Sequence, residues 1–292
     1  MTMLDYHILD VFTDTPFVGN PLAVVLGADG LTDRQMLALA REFNLSETIF
    51  VQAPADPAHA ARVRIFFPTA EIPFAGHPTI GCALLLAELR GISGRLVLEE
   101  QAGLVPVTLT PDAGGVLAEL TAPVVPHPVD GPVDRANVAA VLGLDRVVQA
   151  GVFGGGPRFL FAGLSDLAAL AAASPREPGW SALMAAAGVD SIWAYVETGP
   201  GSVQARMFSP GAGIPEDPAT GSATAIFAAV LQAQGRLAEG ETVITVDQGV
   251  EMGRPSRLRL TAVVSDAALV AARVAGRAVR VAEGRILVPK GG

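Results

Sequence analysis

Hydrophobic and polar positions follow two distinct periods along this chain. Period-two alternation, rich in Val, Ile and Leu, predicts strands at 6–12, 22–25, 48–52 and 61–67, and again at 96–100, 104–110 and 116–120. A helical period predicts an amphipathic helix over 33–43, opened by Leu31-Thr32-Asp33, and a second, more apolar helix over 78–89. The stretch 122–132 carries four prolines and predicts a link between two halves.

The halves repeat one another. Residues 63–73 (VRIFFPTAEIP) set above 205–215 (ARMFSPGAGIP) match at Arg64/Arg206, Phe66/Phe208, Pro68/Pro210, Ala70/Ala212, Ile72/Ile214 and Pro73/Pro215. Both copies run on into a Gly/Thr-containing turn and an apolar helix, 76–89 in one and 220–231 in the other. A weaker anchor lies upstream, where Gly19-Asn20-Pro21-Leu22-Ala23-Val24-Val25 resembles Gly155-Gly156-Pro157-Arg158-Phe159-Leu160-Phe161. Each is followed by a helix start, Leu31-Thr32-Asp33 and Leu164-Ser165-Asp166, so each half reads as strands, a long helix, strands, a turn, a helix and more strands. The pattern predicts two similar α+β domains, 1–122 and 133–292, joined by 123–132, with the C-terminal end able to pack back on the first. Each would bury a central helix against a curled sheet, and the two would face one another across a cleft, where small-molecule sites tend to lie.

Composition narrows the chemistry. At 292 residues, half of them hydrophobic, the chain is long enough for about two domains and needs no cross-link to hold a core. Cys82 is its only cysteine, which excludes disulfides, cysteine-rich metal sites and a two-thiol acid/base pair. A net charge of −9 opposes nucleic acid and anionic lipid. Lys290 is the only lysine, so neither a Walker A loop nor a pyridoxal-phosphate Schiff base can be built. GxGxxG and GxSxG are absent: the Gly-rich stretch 151–156 runs into Pro157. His7, His59, His77 and His127 lack metal-ligand spacing. The expectation is a protein with no cofactor, no metal and no nucleic-acid or membrane partner. Asp5 and Asp10 stand where a leader would be basic, and the longest uncharged run, 218–235, reads as a buried helix with a polar start, which predicts a soluble, cytoplasmic protein.

Polar groups appear where the two copies diverge. After the shared Ile-Pro, one continues Phe74-Ala75-Gly76-His77-Pro78-Thr79 and the other Glu216-Asp217-Pro218-Ala219-Thr220-Gly221-Ser222. A helix N-terminus offers unpaired N–H groups and the positive end of the dipole, a seat for a carboxylate or phosphate. Asp217, Thr220 and Ser222 equally suit ordinary N-caps, and His77 before proline equally suits a turn. Glu47 sits between an amphipathic helix and an apolar strand. Phe43, Leu45, Ile49 and Phe50 around it would hold its carboxylate near apolar surface, as a general base at neutral pH requires; an exposed loop glutamate is the alternative.

Taken together, these residues resemble a known family. Asp10-Val11-Phe12-Thr13 through Gly19-Asn20-Pro21-Leu22-Ala23-Val24, then Ser46-Glu47-Thr48, Ala75-Gly76-His77-Pro78-Thr79 and Glu216-Asp217-Pro218-Ala219-Thr220-Gly221-Ser222-Ala223, are similar in order and spacing to the motifs of PhzF-like proteins, the phenazine-biosynthesis family. The resemblance implies a diaminopimelate epimerase-like fold of two pseudo-symmetric α+β domains, each a curled, mostly antiparallel sheet around a central helix. It also implies a cofactor-free isomerase, usually a homodimer, whose proton-shuttling glutamate is Glu47, assisted by His77, Asp217 and Ser222. Relatives of this fold that racemise amino acids use one cysteine per half; here those turns hold Ala75, Gly76, Asp217 and Pro218, which excludes the thiol mechanism, and Cys82 reads as core packing.

The reading that follows is an isomerase acting on a small carboxylate-bearing molecule, with a dihydro-hydroxyanthranilate implied by the phenazine pathway. Glu47 would remove a proton from one carbon and return it to another. His77 and Asp217 would bond substrate polar atoms, and the helix starts at Thr79 and Ser222 would receive its carboxylate, with Asn20, Gly76, Thr220 and Gly221 completing the binding set. An epimerase using Glu47 and Asp217 as opposed acid and base, and a non-enzymatic binding protein, are the alternatives.

Overall fold

The computed structural model describes residues 2–131, 133–212 and 214–290, and the backbone alone of Ala212 and Ile214. Pro132, in the expected link, and Gly291 and Gly292 lie outside the described residues. The chain divides into two compact units, Met1–Thr121 with Ala275–Gly292, and Ala122–Val274.

Unit 1 contains β1 (Met3–Val11), β2 (Asn20–Val25), α1 (Asp33–Phe43), β3 (Glu47–Gln52), β4 (Ala61–Phe66), β5 (Glu71–Ile72), α2 (Gly76–Arg90), β6 (Gly94–Glu100), β7 (Gly103–Asp112) and β8 (Gly115–Thr121). Unit 2 contains β9 (His127–Pro128), α3 (Arg135–Leu142), β10 (Gln149–Gly154), β11 (Arg158–Gly163), α4 (Leu167–Ala172), α5 (Gly179–Ala187), β12 (Ile192–Gly199), β13 (Ser202–Ser209), β14 (Ile214–Asp217), α6 (Gly221–Ala233), β15 (Gly240–Gln248), β16 (Ser256–Ser265) and most of β17 (Ala268–Gly276). The last strand, β18 (Ala278–Leu287), pairs antiparallel with β1 in unit 1. Residues 123–131, read above as a link, lie in unit 2, where His127 and Pro128 pair with β10.

Strand pairing repeats between the units. In unit 1, β1–β2, β3–β4, β4–β5 and β6–β7 are antiparallel, while β2–β3 and β4–β6 are parallel. In unit 2, β10–β11, β12–β13, β13–β14 and β15–β16 are antiparallel, while β11–β12 and β13–β15 are parallel. Parallel neighbours require a crossover, and helices supply it: α1 and then α2 in unit 1, α4–α5 and then α6 in unit 2. The arginine pair of the repeat recurs in structure. Arg64 donates to Glu71 at 2.7 Å and lies over Phe66; Arg206 donates to Glu216 at 2.8 Å and lies over Phe208.

Two local readings are corrected. The ladders equate Ala23 with Leu160, since these lie opposite Thr48 and Ile192, which lie opposite Phe66 and Phe208. Aligning Gly19 with Gly155 misses this register by one residue, because those glycines sit in turns of unequal length. The long helix expected after Asp166 is instead α4 and α5, interrupted where Pro175 and Pro178 fall, since proline cannot continue the hydrogen-bond ladder.

Helix α1 begins as expected. Thr32 caps it in a box, its N–H donating to Gln35 Oε1 at 2.9 Å and its hydroxyl accepting from the Gln35 N–H, and Asn44 ends it in the left-handed region. Helix α2 has a different environment. It is buried along most of Gly76 to Ala87 and packs against β1, β2, β3, β6, β7, β8 and β18, so the sheet of unit 1 wraps around it. Gly81 permits the approach: a Cβ there would lie 2.5 Å from Leu22 Cδ2 and 2.8 Å from Val11 Cγ2. In unit 2, α6 is buried from Ala223 to Leu231 and packs on β9, β10 and β16.

The seating of α2 predicts that Gly81→Val lowers the unfolding free energy by about 1–3 kcal/mol, the usual cost of overpacking a filled core. Urea unfolding checks this; a variant as stable as the parent would show that the helix is not held at that distance.

Candidate active site

Glu47 is the first residue of β3, fixed opposite Leu22 of β2 in the parallel ladder. Its side chain is 13% exposed, against the expectation for a loop glutamate. His77 lies in the first turn of α2 and is 3% exposed. Its Nδ1 is 3.0 Å from Glu47 Oε2, a contact that one proton must bridge, from imidazole to carboxylate or from carboxyl to imidazole. Its Nε2 is buried without a hydrogen-bond partner among the described residues. Pro78 is tolerated beside it because an N–H in the first turn has no intrahelical acceptor. The N-cap, Ala75, offers no side chain to cap that turn, and no acidic residue stands in it.

Unit 2 builds a second cluster at the matching helix start. Counting from the N-caps Ala75 and Thr220, Ser222 of α6 occupies the position of His77 in α2. Thr220 makes no capping bond; its hydroxyl donates instead to Asp217 Oδ2 at 2.5 Å. Gln248, the last residue of β15 and fully buried, enforces that choice. Its Nε2 donates to the Asp217 carbonyl at 2.7 Å and to Thr220 Oγ1 at 3.0 Å, while its Oε1 accepts from Trp193 Nε1 at 3.1 Å. With Thr220 accepting from Gln248, its single hydroxyl hydrogen goes to Asp217. Gly249 follows in the left-handed region, where a Cβ would meet the Pro218 carbonyl at 2.7 Å, so only glycine lets β15 end against the Asp217-Pro218 turn.

The structure thus joins Glu47 with His77, and Asp217 with Thr220. Asn20, Gly76 and Gly221 are buried at the starts of β2, α2 and α6, and Ser222 is half-buried. Thr79, read from sequence as part of the seat for a substrate carboxylate, faces inward. It is fully buried, with its hydroxyl 2.7 Å from the Ala75 carbonyl and 2.6 Å from Glu100 Oε1. Sequence reasoning missed Gln248. The signal was the alternation Ile244, Val246, Gln248, which puts a polar residue on the buried face of its strand.

A groove of about 610 Å³ on unit 1, lined in part by Arg62, Arg64, Glu71, Glu99 and Glu100, does not include Glu47 or His77. Among the described residues, no three His, Cys, Asp or Glu side chains come together as metal ligands would, and no helix is long and apolar enough to cross a membrane.

Residues 9–284 match the family model described as phenazine biosynthesis-like protein, PhzC-PhzF. The chain belongs to this family. It is 38% identical over 305 residues to an uncharacterized isomerase of Mesorhizobium japonicum, covering 99% of this chain and all of that one. It is 37% identical over 288 residues to the trans-2,3-dihydro-3-hydroxyanthranilate isomerase of Pseudomonas aeruginosa, covering 96% and 98% of the two chains. Among solved structures it is similar to a Bacillus anthracis phenazine biosynthesis protein of the PhzF family, with a TM-score of 0.87 and 25% identity, covering 99% of this chain and all of the other. The fold is the diaminopimelate epimerase-like one, and the protein is an isomerase acting on a small molecule.

The bonding around Gln248 yields a prediction. Gln248→Leu keeps the volume but strips partners from the Trp193 N–H and the Asp217 carbonyl. It is expected to cost about 1–3 kcal/mol for each buried group left unsatisfied, read from denaturant midpoints. A neutral result would mean those groups find other partners.

Proposed function

We propose that this isomerase moves a proton between carbons of a small carboxylate-bearing substrate, without a cofactor, using Glu47 as the single acid/base. The observation that carries the reading is the Glu47–His77 contact at 3.0 Å between two nearly buried side chains. His77 occupies Oε2, leaving Oε1 to take the substrate proton and give it back. A group that acts first as base and then as acid must be shielded, or bulk water exchanges its proton; low exposure of both partners serves that need. Asp217, Thr220 and Ser222, with Asn20, Gly76 and Gly221, are assigned to holding the substrate's polar atoms. The P. aeruginosa relative is named for a dihydro-hydroxyanthranilate, which makes that compound the first substrate to try with this chain.

Glu47→Gln is expected to keep the fold and ligand binding while lowering kcat by at least the ~10²–10⁴-fold typical of a general acid–base group. His77→Gln and Asp217→Asn are expected to cost less individually. Turnover of the Gln variant within about threefold of the parent would eliminate Glu47 as the shuttle. In deuterated water, transfer between two carbons with little solvent label supports the isomerase, whereas full label at one carbon with inversion would replace it with an epimerase. Cofactor independence makes a separate prediction. The purified protein is expected to show no flavin or pyridoxal absorbance and to keep its activity after dialysis against a chelator; activity restored only by added metal would overturn that part of the reading.

A further inference from the structure

The pairing registers equate a buried residue of unit 1 with Gln248. Arg62 on β4 lies opposite Glu99 on β6, and Gln204 on β13 lies opposite Asp247 on β15. Arg62 and Gln204 stand two residues before the matched Arg64 and Arg206, so Glu100 corresponds to Gln248. Each is the last residue of its strand, on the buried face, and each reaches a threonine near the start of the central helix, at different positions: Gln248 the N-cap Thr220, Glu100 the Thr79 that follows the N-cap Ala75 by four residues. Where Gln248 brings an NH₂ donor, Glu100 brings a carboxyl group.

The hydrogen count around Thr79 bears on the form of that carboxyl. Thr79 has one hydroxyl hydrogen and two close oxygen neighbours, the Ala75 carbonyl at 2.7 Å and Glu100 Oε1 at 2.6 Å. A carbonyl can only accept. If the hydroxyl donates to Ala75, the second contact needs its hydrogen from Glu100. Glu100 is 8% exposed and its Oε2 is buried without a hydrogen-bond partner among the described residues, a costly arrangement for an ionised carboxylate and a tolerable one for a neutral acid.

We propose that Glu100 is a neutral carboxylic acid that acts as a positioning residue, donating to Thr79 as Gln248 donates to Thr220 and so pinning the first turn of α2 that carries His77. Its bearing on turnover rests on the reading of Glu47 as the acid/base; its protonation does not.

Burial moves the Glu100 carboxyl in the same direction, pushing it up to about 8 from an ordinary 4.5 against a smaller opposing effect of the Thr79 bond. Beyond that bond, its charged neighbours are engaged with other partners. On α2 the titratable neighbour is Cys82, itself buried and held as a thiol, with Arg90 farther along the helix. In the groove of unit 1 that Glu100 also lines, Glu99 accepts from the Ala55 and Asp56 N–H groups, Arg62 donates to Gln52, and Arg64 donates to Glu71 and Asp33. On β7 the neighbouring residues are Gly103, Leu104 and Val105. Between pH 4.5 and about 8 the folded chain therefore holds a proton that the unfolded chain has released. Stability falls as pH rises through that window and levels off above it.

Glu100→Gln tests the proposal, because glutamine copies Gln248 and cannot ionise. The infrared difference between parent and variant is expected to show a protonated-carboxyl band at about pH 6 that fades as pH rises past about 8. The variant's urea midpoint is expected to lose the decline between pH 4.5 and 8, and its kcat to lose an alkaline limb near pH 8 that the parent shows. Thr79→Val, which removes the acceptor, is expected to lower kcat at every pH while leaving the carboxyl band in place. Absence of that band at pH 6, or a parent and variant with the same stability profile, would overturn the neutral acid. A band present with identical kcat profiles in parent and variant would overturn the positioning role. An active Glu47→Gln variant would remove the acid/base reading and leave the Glu100 band and stability profile unchanged, so the two failures are distinguishable.

Discussion

A helix enclosed on nearly every side leaves the polar groups of its first turn without solvent, and side chains from the surrounding sheet must meet them. Helix α2 is in this position, buried along most of Gly76 to Ala87, and α6 is buried over most of its length. Neither N-cap makes a side-chain capping bond. The strands that end beside these helix starts bring the partners instead: Glu47 on β3 and Glu100 on β6 in unit 1, Asp217 on β14 and Gln248 on β15 in unit 2. In each unit, the demand created by burying the helix therefore gathers polar groups at the helix start.

Duplication supplied this arrangement twice, and the copies kept the frame while changing the chemistry. The arginine on β4 and β13 holds a carboxylate and lies over a phenylalanine in both, yet its remaining donor is spent differently. Arg64 reaches Asp33 at the start of α1, whereas Arg206 donates to the carbonyls of Leu170 and Ala173 at the end of α4. The acceptor has moved too: Glu71 aligns in sequence with Gly213, and the residue that meets Arg206 is Glu216. An ion pair of fixed geometry can survive a shift in the residue that supplies it, because a bend in the partner strand, here the register shift between Phe208 and Ser209, brings another carboxylate to the same guanidinium.

How far the chain could be read follows from the same physics. The repeat was legible because Arg64, Phe66, Pro68 and Pro73 sit on a strand and turn whose packing and backbone limits recur, and α1 was legible from Thr32 and its amphipathic period. Glu47, His77, Asp217 and Ser222 stood out as polar residues beside apolar runs, and their motifs carried the family resemblance. The upstream anchor slipped by one residue because it was pinned on glycines in turns, which tolerate changes of length that a ladder does not. The inward direction of Thr79 was not legible, because a threonine in the first turn of a helix looks the same in sequence whether it faces solvent or core. Gln248 and Glu100 were passed over because a polar residue at a strand end ordinarily marks the surface, although the alternations Ile244, Val246, Gln248 and Leu96, Leu98, Glu100 put both on the buried face.

The asymmetry between the units bears on the kind of proton transfer proposed. The ladders that equate Thr48 with Ile192 place Ser191 at the position of Glu47. Ser191 is buried, with its hydroxyl 2.5 Å from that of Ser209 and 2.8 Å from Asp190. A serine so engaged is no acid/base at neutral pH, and Ser222 stands where unit 1 has His77. The duplicated frame therefore does not supply a second copy of the carboxyl–imidazole pair. Asp217, the carboxylate of unit 2's cluster, accepts a hydrogen bond from Thr220, whose orientation Gln248 fixes, and an acceptor held this way suits binding a donor on the substrate better than releasing a proton to it. Two opposed bases would call for two groups of like proton affinity, one per unit; one carboxyl paired with imidazole and one locked in an acceptor network favour a single shuttle that takes and returns the same proton.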